Sequence, residues 1–199
     1  MPDGPPPTQP PAAAPRRAGL DPATRRPTIL VAAIIAGLFF GSQLVNEAIP
    51  ASADEGQPGT PLAIAGTATI TPIEGWVVTR FEDSSGLRLE KGSVVLDVFE
   101  QSTDSAGRLA QAYLEGPLRG QSTELTTTDI ATVPSSAGSA ARFTYQGLFT
   151  GADGAIEGEV TAIVAGGAGV VADAWSKQGR LDGLLGETRT MLESIELGG

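Results

Sequence analysis

Hydrophobic and polar positions divide the chain into one long apolar run and a later stretch of alternating, β-type pattern. Residues 28–46 contain no charged side chain and are apolar over their first two-thirds. A helix rises about 1.5 Å per residue, so about 20 apolar residues are needed to cross a hydrocarbon core of about 30 Å. The run therefore predicts one transmembrane helix over residues 28–47.

The segments on either side of this helix set the predicted domain organisation. Residues 1–27 are rich in Pro and Ala and have no apolar periodicity, which predicts a disordered tail. Residues 48–60 mix Pro, Gly, Ser and acidic side chains, as in a flexible linker. Residues 61–197 then remain for one domain, which is enough chain for an ordinary hydrophobic core.

Charges on the two sides of the helix predict its orientation. Four arginines precede it, whereas the first charges after it are acidic: Arg16, Arg17, Arg25 and Arg26 against Glu47, Asp54 and Glu55. Positive residues stay on the cytoplasmic side, so we expect a cytoplasmic N-terminus and an extracytoplasmic domain at the cell membrane. The alternative is cleavage after Ala53, which would release a secreted domain.

Small residues recur along the predicted helix. Ala33, Gly37 and Gly41 are spaced four apart and so share one face, which would let two helix backbones approach closely. This face is a candidate for self-association or for contact with the helix of a partner. Ordinary membrane-helix composition is the alternative.

The alternating stretch predicts a sheet with two helices. Strands are expected at residues 67–71, 75–78, 86–90, 94–99, 124–132, 140–149, 156–164 and 169–175. Turns at Lys91-Gly92, Asp153-Gly154 and Gly166-Gly167 predict hairpins, and the last four strands are expected to form an antiparallel meander. One helix should start near Asp104 or Ser105 and stop at Gly116-Pro117, and another should span residues 179–197 and lie on the sheet.

The amino-acid composition excludes several kinds of catalytic site, metal site and partner. The sequence has no His and no Cys, which removes imidazole and thiol catalysis and zinc-thiolate sites. The net charge is −10 and the part after the helix is acidic, so nucleic acid is not an expected partner. We expect a protein that is not an enzyme, with no cofactor and no metal.

Three acidic residues of the predicted sheet are candidates for a calcium site. Asp153, Glu157 and Glu159 offer oxygen ligands around one hairpin, but their spacing matches no EF-hand loop. Alternate glutamates on a strand favour a solvated face, and the same alternation predicts that Asp97 faces solvent.

Trp76 and Trp175 are the candidate partner-binding aromatics, because tryptophan is enriched at binding hot spots. Each lies at the end of a β-prone run, where packing in the core or at the sheet edge is the favoured alternative.

With these elements in place, the sequence resembles the Mog1/PsbP-like superfamily, including actinobacterial cell-envelope proteins of that type. The resemblance covers residues 61–197 and rests on four segments: 67–72 leading into Gly75-Trp76, the hairpin 89–99, residues 156–159, and the helix end 191–195. It implies an α+β fold, a mostly antiparallel central sheet flanked by helices as an α/β/α sandwich. It also implies accessory and binding roles. The envelope lipoproteins carry a lipidated Cys, which this chain lacks.

We therefore expect a single-pass, membrane-anchored accessory protein that binds another membrane or envelope protein. Tethering raises local concentration, so a modest contact would suffice. The alternative is a carrier or sensor that holds a small molecule or lipid in a cavity beneath the 181–195 helix.

Overall fold

The computed structural model describes residues 58–83 and 85–198. In these residues, no helix is both long and apolar enough to cross a membrane. The predicted transmembrane helix, its Ala33, Gly37 and Gly41 face, and the cleavage position at Ala53 lie outside the described residues and stay predictions.

Residues 58–83 and 85–198 form ten strands, three α-helices and one π-helical turn. In chain order these are β1 (Leu62–Ala63), β2 (Thr69–Ile70), β3 (Val77–Arg80), β4 (Gly86–Lys91), β5 (Val94–Ser102), α1 (Ala106–Tyr113), the π-helical turn (Leu114–Leu118), α2 (Arg119–Gln121), β6 (Ser122–Thr127), β7 (Ala131–Val133), β8 (Ser139–Phe149), β9 (Ala155–Ala165), β10 (Ala168–Lys177) and α3 (Leu185–Glu193).

Eight strands form one antiparallel sheet in the order β3-β4-β5-β10-β9-β8-β6, and β7 also pairs with β8. The predicted hairpins β4–β5, β8–β9 and β9–β10 are confirmed. The predicted strand over residues 124–132 is divided into β6 and β7. The pairing of β5 with β10, which joins the two groups of strands, was not predicted.

Each face of the sheet carries a helix that covers part of it, which agrees with the predicted α/β/α layering. On one face, called the α1 face, α1 and the π-helical turn pack on Phe143, Val160 and Val171. On the other, the α3 face, Met191 and Leu192 of α3 pack on Leu89, Leu96 and Val170. Residues alternate between the faces because successive side chains of a strand point to opposite sides.

Two helix boundaries differ from the sequence prediction. Ser105 caps α1 by accepting a hydrogen bond from the backbone N–H of Arg108, as expected. The predicted stop at Gly116-Pro117 is wrong, because the chain widens into a π-helical turn that contains Pro117 and continues to Gln121. The final helix is shorter than residues 179–197, since Gly179, Gly183 and Gly186 weaken helix formation at its start.

The strands β1 and β2 form a separate hairpin that lies beside the C-terminal end of the domain. Thr69 forms a β-bridge with Glu196, and the Thr67 hydroxyl lies 3.3 Å from the Gly198 carbonyl oxygen to which it donates. The Glu100 carboxylate accepts backbone N–H groups of Gly66, Thr67 and Ala68. These bonds lower the pKa of Glu100, against the opposing effect of its burial.

Candidate functional site

The first candidate site lies on the α1 face, where α1 covers only part of the sheet. Helix α1 packs against β8, β9 and β10, whereas the same face of β3 and β4 carries exposed side chains. We call this region the open half-face. Its residues are Val77, Thr79, Phe81, Arg88, Glu90, Val95 and Phe99, with Trp175 at the border towards α1.

Aromatic rings and one arginine form the centre of the open half-face. The Arg88 guanidinium lies 5.7 Å from the centre of the Phe81 ring and 5.8 Å from that of Trp175. Phe81 in turn stacks on Phe99 with ring centres 5.2 Å apart. Stacked rings and a fixed guanidinium present a rigid surface, which loses little conformational entropy on binding.

Arg88 is held in place by Asp97. Its Nε and Nη2 donate to the two carboxylate oxygens of Asp97 at 2.7 and 2.8 Å, and Trp175 Nε1 donates to the same carboxylate at 3.0 Å. Burial disfavours the charged form of Arg88 and so lowers its pKa. The charge and hydrogen bonds of Asp97 act in the opposite direction, and the pKa of Arg88 is raised overall. The prediction that Asp97 faces solvent is wrong, because its side chain points to the border of α1, where these partners bury it to 5% exposure.

A second carboxylate lies beside this group. Asp173 accepts hydrogen bonds from the hydroxyls of Tyr113, at 2.8 Å, and Tyr145, at 3.0 Å. Burial raises the pKa of Asp173 to about 7; the two tyrosines lower it in part, and the nearby Asp97 charge raises it. Burial also raises the pKa of both tyrosines well above the usual value, with Asp173 adding to the effect. The network fastens α1, through Tyr113, to the sheet.

The two predicted aromatics have different positions. Trp175 is half-buried at the edge of the open half-face, within reach of a partner. Trp76 is only 3% exposed and its Nε1 donates to Glu187 on α3 at 2.8 Å. Trp76 therefore packs in the core, which is the favoured alternative to partner binding for a tryptophan at the end of a β-prone run.

The second candidate site is a groove on the α3 face, with a volume of about 330 Å³. Strands β6, β8 and β9 form its floor, and Leu181 and Asp182, just before α3, form a wall together with Leu185, the first residue of α3. Its lining combines polar side chains, such as Gln146 and Glu157, with apolar surface that includes Leu181 and Leu185. Sequence reasoning missed this groove, although the threonines at residues 126–128 and the alternating Thr144 and Gln146 were visible signals.

The acidic residues weighed for calcium do not come together as ligands. Glu159 is buried and bonds the guanidinium of Arg189, with Arg142 also within 3.4 Å, so the prediction that it lies on a solvated face is wrong. Glu157 accepts three backbone N–H groups of residues 179–181 through Oε1. Asp153 is exposed beside Lys177. Over residues 58–83 and 85–198, no cluster of three acidic side chains could hold a metal ion.

Comparison with known proteins supports the fold. Neither a family model nor a curated protein matches the sequence. Among solved structures, the chain is similar to cyanobacterial PsbP (CyanoP) from Synechocystis sp., with a TM-score of 0.52 and 11% identity, over 75% of this chain and 99% of that chain. It is also similar to LpqN, involved in cell envelope biogenesis of Mycobacterium tuberculosis, with a TM-score of 0.45 and 13% identity, over 73% and 88% of the two chains.

The first similarity shows that this is an α+β domain with a PsbP-like fold. At that identity it shows the fold and not the function. A TM-score below 0.5 supports no argument, so the second similarity adds nothing to this assignment.

Proposed function

We propose that the chain is a membrane-anchored accessory protein that binds another membrane or envelope protein through the open half-face. The predicted helix at residues 28–47 would tether it, with the domain on the extracytoplasmic side. The chain would act by recognition and not by catalysis; Asp173, the buried carboxyl that pairs with Tyr113 and Tyr145, would serve to hold α1 on the sheet.

The observation that carries the proposal is the contact of Arg88 with the rings of Phe81 and Trp175 in the open half-face, which no helix of the described residues covers. Phenylalanine, arginine and tryptophan are the side chains enriched at protein interfaces, where central, rigid residues supply most of the binding energy. A face meant only for solvent would carry polar side chains at Val77, Val95 and Phe99.

Charge around the open half-face indicates the kind of partner. Arg88 is neutralised by Asp97, whereas Glu82, Asp83 and Glu90 are exposed and form no ion pair with the described residues. The surface therefore presents an apolar centre with an acidic rim. It fits a protein that brings an apolar side chain flanked by Lys or Arg, and the complex should weaken as salt concentration rises.

The test is purification of the full chain, tagged at its C-terminus, in mild detergent, with the partner and the intact mass read from the same sample. Val77→Asp is the test variant and Leu148→Asp the matched control, because the two apolar side chains are 36% and 40% exposed and lie on opposite faces. We expect a full-length mass, and a stoichiometric partner that is lost with Val77→Asp and kept with Leu148→Asp.

The proposal fails if both variants retain the partner equally, or if the protein starts at Asp54 and carries none. Circular dichroism of the two variants excludes loss through misfolding, since both positions are exposed and should tolerate the change.

A further inference from the structure

The groove on the α3 face carries two rows of polar side chains that run across the strands. In the first row Thr126 lies opposite Gln146, and Gln146 lies opposite Glu157. In the second row Thr144 lies opposite Glu159, and the Thr128 hydroxyl accepts the backbone N–H of Thr144 at 2.9 Å. Neighbouring strands are about 4.8 Å apart, so each row of three spans about 10 Å.

Several polar groups in this groove have unused hydrogen-bonding capacity. The side chains of Thr126, Gln146 and Asp182 make no hydrogen bond with any described residue. Glu157 uses only Oε1, for three backbone N–H groups, which leaves Oε2 available. The free groups include donors, the threonine hydroxyl and the glutamine amide, as well as acceptors, the two carboxylates.

This combination selects among ligand classes. An anion would meet the carboxylates of Glu157 and Asp182. An ammonium cation could donate to the carboxylates, to the threonine hydroxyl and to the Gln146 carbonyl oxygen, but it would leave the N–H donors of the Gln146 amide without an acceptor. An apolar ligand would leave these polar groups unpaired, at a cost in free energy. A neutral molecule with many hydroxyl groups both donates and accepts, and Leu181 and Leu185 offer its C–H surface an apolar wall.

We propose that this groove is a binding site for a neutral saccharide. The groove is open along its rows, so a sugar chain can continue beyond the residues it contacts. The inference is independent of the proposed protein partner, because the open half-face lies on the opposite side of the sheet.

The experiment is saturation-transfer difference NMR on the full chain in a detergent without a sugar headgroup, such as dodecylphosphocholine. The probes are the neutral trisaccharides maltotriose, xylotriose and chitotriose, with spermidine as the cationic and glucose 6-phosphate as the anionic comparison. We expect saturation transfer from the protein to at least one neutral trisaccharide. The sugar concentration is about 20 mM, which is high enough to occupy a weak site. Gln146→Ala and Asp182→Asn should each weaken that binding by about tenfold, the effect of losing a hydrogen bond.

The control is Glu90→Gln, which removes an exposed carboxylate of the open half-face and should leave saccharide binding unchanged. Val77→Asp should likewise bind the trisaccharide as the unchanged chain does, even where it loses the protein partner. No transfer to any neutral trisaccharide, transfer to spermidine alone, or equal weakening in Glu90→Gln and Asp182→Asn would each overturn the proposal.

Discussion

Asp97 and Asp173 lie directly opposite each other on the neighbouring strands β5 and β10, with both side chains buried on the α1 face. Like charges at such positions repel each other. The two surroundings differ, since Arg88 compensates Asp97, whereas Asp173 has only hydroxyl donors. The domain therefore pairs Asp97 with a guanidinium group, whereas at mildly acidic pH Asp173 holds a proton.

The pKa of Asp173 predicts how stability depends on pH. Its pKa is about 7 in the folded protein against 3.8 for an ordinary aspartate, so between these values the folded chain holds a proton that the unfolded chain has lost. This part of the free energy of unfolding is therefore highest below pH 4 and decreases as pH rises to 7. In the Asp173→Asn variant this decrease should be absent. From about pH 5 to about pH 8, its free energy of unfolding should therefore rise by about 2 kcal/mol relative to that of the unchanged chain.

Urea unfolding followed by tryptophan fluorescence at both pH values measures this difference, because both tryptophans lie in the described domain. Comparing each protein with itself at the two pH values removes the effect of the new amide on the tyrosine hydrogen bonds. A difference between the proteins that is the same at both pH values would show that Asp173 is ionised throughout.

The ion pair of Arg88 and Asp97 predicts an unequal mutant series. Arg88→Met leaves the buried Asp97 carboxylate with only the Trp175 donor and next to Asp173, so we expect a loss of about 3 kcal/mol. The double variant Arg88→Met, Asp97→Leu removes the charge as well and should be more stable than Arg88→Met alone. The stability of each variant is measured as the urea concentration at the midpoint of unfolding. A double variant less stable than Arg88→Met would contradict this account of the ion pair.

Gly158 predicts a packing effect beneath the tyrosine network. A Cβ at residue 158 would lie 2.3 Å from ring carbons of Tyr145, whose hydroxyl bonds Asp173. Gly158→Ala should therefore displace the ring and cost about 2 kcal/mol. Gly107→Ala is the matched control, since α1 has open space there and alanine should stabilise the helix by about 0.5 kcal/mol. Equal thermal shifts for the two variants would argue against the clash.

Elements set by local chemistry could be predicted from the sequence. The turn at Lys91-Gly92 and the cap at Ser105 depend on residues within a few positions, and both are where the sequence places them. The β5–β10 pairing depends on residues about 75 positions apart, which no local pattern encodes.

The sequence predicts the wrong surroundings for two carboxylates, Asp97 and Glu159. Alternation places each of them opposite the apolar side chains of its own strand, which predicts exposure to solvent, but both are buried. In a sheet with a helix on each face, the second side is also covered, so each carboxylate needs a partner from elsewhere, Arg88 for Asp97 and Arg189 for Glu159. The groove was missed for a related reason, since its rows are formed by register across strands.

Pro117 shows how a strong local signal can be overridden. Proline lacks an N–H and its ring clashes with the carbonyl oxygen four residues earlier in an α-helix. The wider π-helical turn gives the ring room, while Leu114 and Leu118 on the same turn remain buried against the sheet.

The junction of Thr69 with Glu196 has a mechanical consequence. It brings β2, near the beginning of the described domain, and residue Glu196, near its end, to one corner, where Glu100 also holds residues 66–68. Force applied through an N-terminal tether would act on the few hydrogen bonds at this corner. The eight-stranded sheet would then rotate as one body around the corner, and its strands would not be pulled apart.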